Sequence, residues 1–149
     1  MKSSDIKNLQ DLVDYYLHSP QFLALRGRTQ KDYEYSLGRA IQTQITPAKT
    51  LGDIKLNNLG VSECKVAYQQ WVTKGVRMAN VMAMVTSLVL NIGEELELII
   101  RNPMRSVKKM VEGQRKVMWS TNQVRAFLDT AYGEYKWRSI GLIVHMAYE

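Results

Sequence analysis

The sequence predicts an all-α protein: a compact four-helix bundle, a basic linker, and two further helices. Three observations predict it. Apolar residues recur at i, i+3, i+4 and i+7 in successive windows. No window alternates with a period of two. A basic stretch, residues 101–116, interrupts the helical pattern, which restarts at Trp119-Ser-Thr.

The first helix is expected over residues 4–18, with Ile6, Leu9, Val13, Tyr16 and Leu17 on one face and Ser3 or Ser4 as cap. Ser19-Pro20 ends it, because the residue before a proline is pushed out of the α region. Thr29 is the expected N-cap of a second helix striped by Tyr33, Leu37, Ala40 and Ile41, and Thr46-Pro47 stops it. Residues 50–60 read as a turn region. Ser62 then caps a third helix, with Cys64, Ala67, Tyr68, Trp71 and Val72 on its apolar face and Gly75 past its end. The fourth, about 77–100, is apolar almost all round between Val81 and Leu90, as befits a central helix, and Gly93 is a candidate kink. Pro103 closes this body. Beyond the linker, Thr121 caps a fifth helix that ends at Gly133. A sixth starts near Tyr135 with Trp137, Ile140, Leu142, Ile143, Val144, Ala147 and Tyr148, too apolar to stand alone in water. The expected divisions are a body over 1–103, a linker over 104–118 and a second helical piece over 119–149.

Composition narrows the function classes. The 149 residues carry a net charge of +6, with a pI near 9.5, which favours acidic partners. Arg101, Arg105, Lys108, Lys109, Arg115 and Lys116 stand against Glu112 alone, so +5 of that +6 lies in one stretch. A single cysteine, Cys64, excludes an intramolecular disulfide and a cysteine-based zinc site. No signal peptide or uninterrupted apolar run of membrane length is present, so the expected compartment is the cytoplasm and no membrane partner is expected. No phosphate-binding glycine loop and no dinucleotide fingerprint occur. His18 and His145 are far apart and outside any H-E-x-x-H frame, and Glu94, Glu95 and Glu97 read as a solvated face. No catalytic residue, metal or cofactor is expected.

Cationic residues are the remaining signal. Besides the linker they fall at Arg26, Arg28 and Lys31, at the expected start of the second helix, and at Lys74 and Arg77, at the expected start of the fourth. A helix start carries free N–H groups and partial positive charge, so basic residues there oppose the dipole and point to an external anion such as phosphate.

Several motifs, in order, resemble the tyrosine recombinases of the phage-integrase type. Arg28-Thr29 with Tyr33 resembles that family's second-helix opening. Leu51-Gly-Asp-Ile-Lys-Leu56 and Tyr68-Gln-Gln-Trp71 resemble its third-helix region, and Arg101-Asn-Pro103 its domain-closing Asn-Pro. Trp119-Ser-Thr-Asn-Gln-Val124 resembles the start of its catalytic domain. The resemblance covers about residues 26–149. It implies an N-terminal core-binding domain, a linker along the DNA, and a catalytic domain cut off at Glu149, before the first catalytic arginine, so that this fragment is inactive and none of its tyrosines is the nucleophile. It further implies duplex DNA as partner and a tetramer of the intact parent on DNA. It places Arg26, Arg28, Thr29 and Lys31, then Lys74, Arg77 and Asn80, at the major groove, with Arg105, Lys108, Lys109, Arg115 and Lys116 along the backbone. Arg77 and Asn80, one turn apart, are the candidates for base readout. Two rivals stand beside this reading. A self-contained helical DNA-binding regulator needs a shorter turn between helices two and three. A helical protein-interaction domain would use the apolar fourth and sixth helices, and the sixth could also mediate self-association of the fragment.

Overall fold

The computed structural model describes residues 5–113 and 118–148 and is mostly helical. The chain divides into two compact units, Met1–Glu112 and Gly113–Glu149.

In the first unit the helices are α1 (Leu9–Leu17), α2 (Pro20–Leu23), α3 (Gly27–Ile41), α4 (Val61–Lys74) and α5 (Val76–Glu95). α1 starts later than the periodicity predicts. Asn8 is its N-cap: the Asn8 side chain accepts from the Asp11 N–H at 2.8 Å, and the Asp11 carboxylate accepts from the Asn8 N–H at 3.2 Å. The turn region supplies two more acceptors. Leu9 N–H donates to the Ile54 carbonyl and Gln10 N–H to that of Gly52. Ile6 is buried, as its place on the apolar stripe required, but it lies outside the helix. α2 is a single turn begun by Ser19 and Pro20.

α3 starts at Gly27, so Thr29 is its third residue rather than its cap, and Arg26 holds the N-cap position without a side-chain bond. α3 ends at Ile41, before Thr46-Pro47. A short antiparallel hairpin follows, β1 (Gln44–Thr46) with β2 (Lys49–Thr50), which the period-two criterion missed because the strands have three and two residues. The buried Trp71 indole N–H donates to the Thr43 hydroxyl at 2.7 Å, tying the end of α3 to α4.

α4 begins after Gly60, whose N–H donates to the Glu63 carboxylate at 3.0 Å, so Gly60 rather than Ser62 holds the N-cap position. Gly75 alone joins α4 to α5, at φ +137°, a conformation L side chains rarely adopt. α5 packs against α1, α3 and α4. Its Ala79, Met82, Ala83, Val85, Val89 and Leu90 are buried. α5 has the length and apolar content of a membrane span, yet that buried face is what a core helix of a folded body presents. The helix runs on through Gly93 to Glu95. A Cβ at Gly93 would stand 2.9 Å from Leu12 Cδ2, so this glycine lets α1 and α5 approach closely. α5 stops at Glu95, with Glu97 at φ 58° two residues on.

The first unit does not close at Pro103. A 3-10 turn, Pro103–Ser106, packs on both α4 and α5, with Met104 and Val107 buried. Asn102 begins it and is fully buried. Its Nδ2 has three acceptors within 3.0 Å, namely Ser87 O, Ser87 Oγ and Asn91 Oδ1, and its Oδ1 accepts from the Met104 N–H at 2.9 Å.

The second unit holds α6 (Thr121–Gly133), a 3-10 turn (Tyr135–Trp137) and α7 (Arg138–Tyr148). Ser120, not Thr121, caps α6, in a reciprocal pair with Gln123. The two helices meet closely where Gly141 faces Ala131. Trp119 stacks edge-on against Phe127 at 5.2 Å. Ile140, Leu142, Ile143 and Met146 on α7 are exposed, the last at 73%.

Candidate nucleic-acid interface

Cations on α3 form a stripe. Arg28, Lys31, Tyr35 and Arg39 recur at helical spacing, on the face opposite the buried Leu37 and Ala40, with Asp32 beside them. Arg39 Nη1 donates to the Tyr35 hydroxyl at 2.7 Å, and its guanidinium lies 5.5 Å from the Tyr35 ring centroid. The stripe thus offers an exposed aromatic ring with a guanidinium held against it. Tyr35 and Arg39 were not among the sequence candidates. Thr29 is partly buried, whereas Arg26, Arg28 and Lys31 are exposed.

Lys74 is the last residue of α4, not at a helix start, so the helix dipole favours it there. The dipole argument survives for Arg77, in the first turn of α5, and for Arg28, in the first turn of α3. Lys74 shares a hollow of about 390 Å³ with Arg39, Gln42, Gln44 and Gln70. Arg26 and Arg28 lie at the far end of the fifteen-residue α3, roughly 20 Å away at 1.5 Å per residue. The structure therefore brings Lys74 to Arg39 and not to the α3 start.

Two predicted contact residues are already engaged. Arg105 donates to Asn91 Oδ1 at 2.8 Å and lies 3.2 Å from Glu94 Oε2, so its charge is matched within the protein. Asn80 does not offer a free amide for base readout. Its Oδ1 accepts from the Tyr68 hydroxyl at 2.7 Å, and its Nδ2 donates to the Met110 carbonyl at 3.0 Å. The Met110 N–H donates to the same Tyr68 oxygen at 2.7 Å. Both backbone polar groups of Met110 are thereby satisfied by side chains of α4 and α5, in a closed ring of three hydrogen bonds. This ring fixes the middle of the basic stretch to the first unit. The sequence signal for it was a tyrosine on an apolar helical stripe, whose hydroxyl needs a partner when buried.

Lys108 and Lys109 are exposed beside this ring. Among the described residues the ion pairs are Arg105–Glu94 and Lys136–Glu134, so Arg26, Arg28, Lys31, Lys74, Arg77, Lys108 and Lys109 carry unmatched charge there. Arg115 and Lys116 lie outside the described residues.

Other polar groups have ordinary structural roles. His18 caps α1, with its Nδ1 2.7 Å from the Asp14 carbonyl. His145 Nδ1 lies 3.2 Å from the Tyr132 hydroxyl. Cys64 is buried, and burial, aided by the nearby Glu63 carboxylate, pushes its thiol up to about 12. No cluster of three or more metal-ligating side chains occurs among the described residues. Comparison with family models, with curated proteins and with solved structures finds no match.

Proposed function

We propose that this chain binds duplex DNA as the core-binding part of a tyrosine recombinase of the phage-integrase type. In this reading α1, α3, α4 and α5 are its four-helix bundle, and the second unit opens its catalytic domain. The observation that carries the reading is the pinned basic stretch. Lys108 and Lys109 are exposed and unpaired among the described residues, and the Tyr68–Asn80–Met110 ring presents them from a fixed place on a folded body. A solubility tail has no need of such an anchor. The exposed α3 stripe and the unmatched Arg77 supply further cations for phosphates, which give affinity and register.

Salt dependence tests the reading. With five to eight phosphates neutralised, log K for a labelled random duplex should fall with log salt at a slope of about −4 to −7, read by fluorescence anisotropy. Absence of binding at low salt defeats the proposal. A second reading, self-association through α7, is favoured by the exposed Leu142, Ile143 and Met146. It predicts a concentration-dependent sedimentation coefficient without DNA, abolished by Ile143→Lys.

A further inference from the structure

Between α4 and residues 107–110 of the basic stretch lies a hollow of about 470 Å³, lined by Lys65, Tyr68, Gln69, Val72, Val107 and Lys108 together with Met110. We propose that this hollow seats one phosphate group of the nucleic-acid backbone, held between Lys65 and Lys108. The inference rests on the DNA-binding reading and deepens it, since it adds Lys65, which neither its sequence neighbourhood nor the family resemblance selects.

The lining is suited to an anion. Two lysines and one glutamine line it beside the apolar Val72, Val107 and Met110, and no acidic residue does. Neither lysine belongs to an ion pair among the described residues. Both lysines line the hollow, so an anion seated there is attracted by each. Gln69 follows Lys65 by four residues, so both project from one face of α4. A phosphate there meets a lysine from the body and a lysine from the linker.

What turns a pair of surface lysines into a defined seat is the fixing of Lys108. Val107, just before it, is buried at 6% exposure. Met110, two residues after it, is held at both its N–H and its carbonyl. Lys108 is therefore bracketed by two anchors, and its backbone is placed before any ligand arrives. Such placement lowers the ordering cost of binding. Tyr68 is the positioning residue: its hydroxyl accepts from Met110 and donates to Asn80. It also lines the hollow.

Salt titration of duplex binding, by anisotropy, tests the seat on the full chain and three variants. For Lys65→Gln the slope of log K against log salt should flatten by about 1, with affinity about ten-fold lower at 50 mM salt. Lys55→Gln, an exposed lysine outside the hollow, should leave both unchanged. Tyr68→Phe removes no charge, yet it should flatten the slope by a similar amount and quicken trypsin cleavage at the Lys109–Met110 bond, whose N–H the hydroxyl holds. Thermal midpoints confirm that each variant is folded. If Lys65→Gln behaves like Lys55→Gln while the parent protein binds with a steep slope, the seat is wrong and the DNA-binding reading stands. If the parent protein does not bind duplex at all, that reading falls and takes the seat with it. If Tyr68→Phe leaves the slope intact, Tyr68 does not position Lys108.

Discussion

Asn102→Ala should be among the most damaging single substitutions in the first unit. The side chain is fully buried, and its Oδ1 is the partner of the buried Met104 N–H at 2.9 Å. Removing it strands that N–H, at about 1–3 kcal/mol. The lost amide also leaves a small void, worth roughly 1 kcal/mol at about 24 cal/mol per Å³. Asn91 Oδ1 keeps its bond from Arg105, so no penalty is charged for it. The expected loss is therefore about 2–4 kcal/mol. At about 4 °C per kcal/mol the thermal midpoint should fall by roughly 8–16 °C. Urea unfolding followed by circular dichroism measures this, with the slope against urea unchanged. Asn102→Asp provides the contrast. It keeps an acceptor for Met104 but sets a carboxylate against Ser87 O and Asn91 Oδ1. The new carboxyl should have a raised pKa in the fold, so the variant should recover stability as pH falls and lose it as pH rises through that value. A loss below about 1 kcal/mol for Asn102→Ala would show that the amide network is surplus, and that the turn is held by Met104 and Val107 alone.

Charge reversal at Lys108 and Lys109 together should weaken binding to all duplexes alike and flatten the salt slope by about 2 or more; an unchanged affinity removes the pinned stretch from the contact set. Thr86 is buried with an unpartnered hydroxyl, so Thr86→Val should be neutral or stabilising by up to about 1–2 kcal/mol, and a clear loss in urea unfolding would reveal a partner for that oxygen. Cys64 should resist thiol reagents in the native protein at pH 8 and react on unfolding. Its raised value also sets a pH trend: the contribution is complete below pH 9, the ordinary thiol value, and is lost as pH rises toward about 12. Over that window only the unfolded thiol has lost its proton, so unfolding free energy should drop by about 1.4 kcal/mol per pH unit from this group; the difference in alkaline unfolding between the parent and Cys64→Ala measures it.

Helical identity was legible because burial imposes a period: Leu37 and Ala40 on α3 and Cys64, Ala67, Tyr68 and Trp71 on α4 are buried as their spacing required, whereas Met84 on the apolar α5 is exposed. Helix starts were less legible. Ile6 fits the α1 stripe and is buried, so the periodicity ran through it, whereas the cap is an Asn8–Asp11 pair whose partner acceptors come from residues 52 and 54. The hairpin was too short for any period to register. The candidate interface shows the same divide between local and distant information. Sequence locates cations, but not whether a carboxylate from another element has already matched them, as Glu94 matches Arg105. It could not show that the Asn80 amide is consumed by Tyr68 and Met110, or that Lys65 and Lys108 line one hollow. Those pairings depend on elements brought together only by the fold.

The 3-10 turn at 103–106 has a consequence during synthesis. It fills the seam between α4 and α5, yet it emerges from the ribosome after both. Twelve residues separate Glu95, the end of α5, from the buried Val107. At about 5–20 residues per second, the nascent body spends on the order of one second with all its long helices made and that seam open to water. Its core is sealed from the C-terminal side, by the same segment that presents Lys108 and Lys109, so a chain able to offer these lysines from a fixed place has already finished folding its first unit.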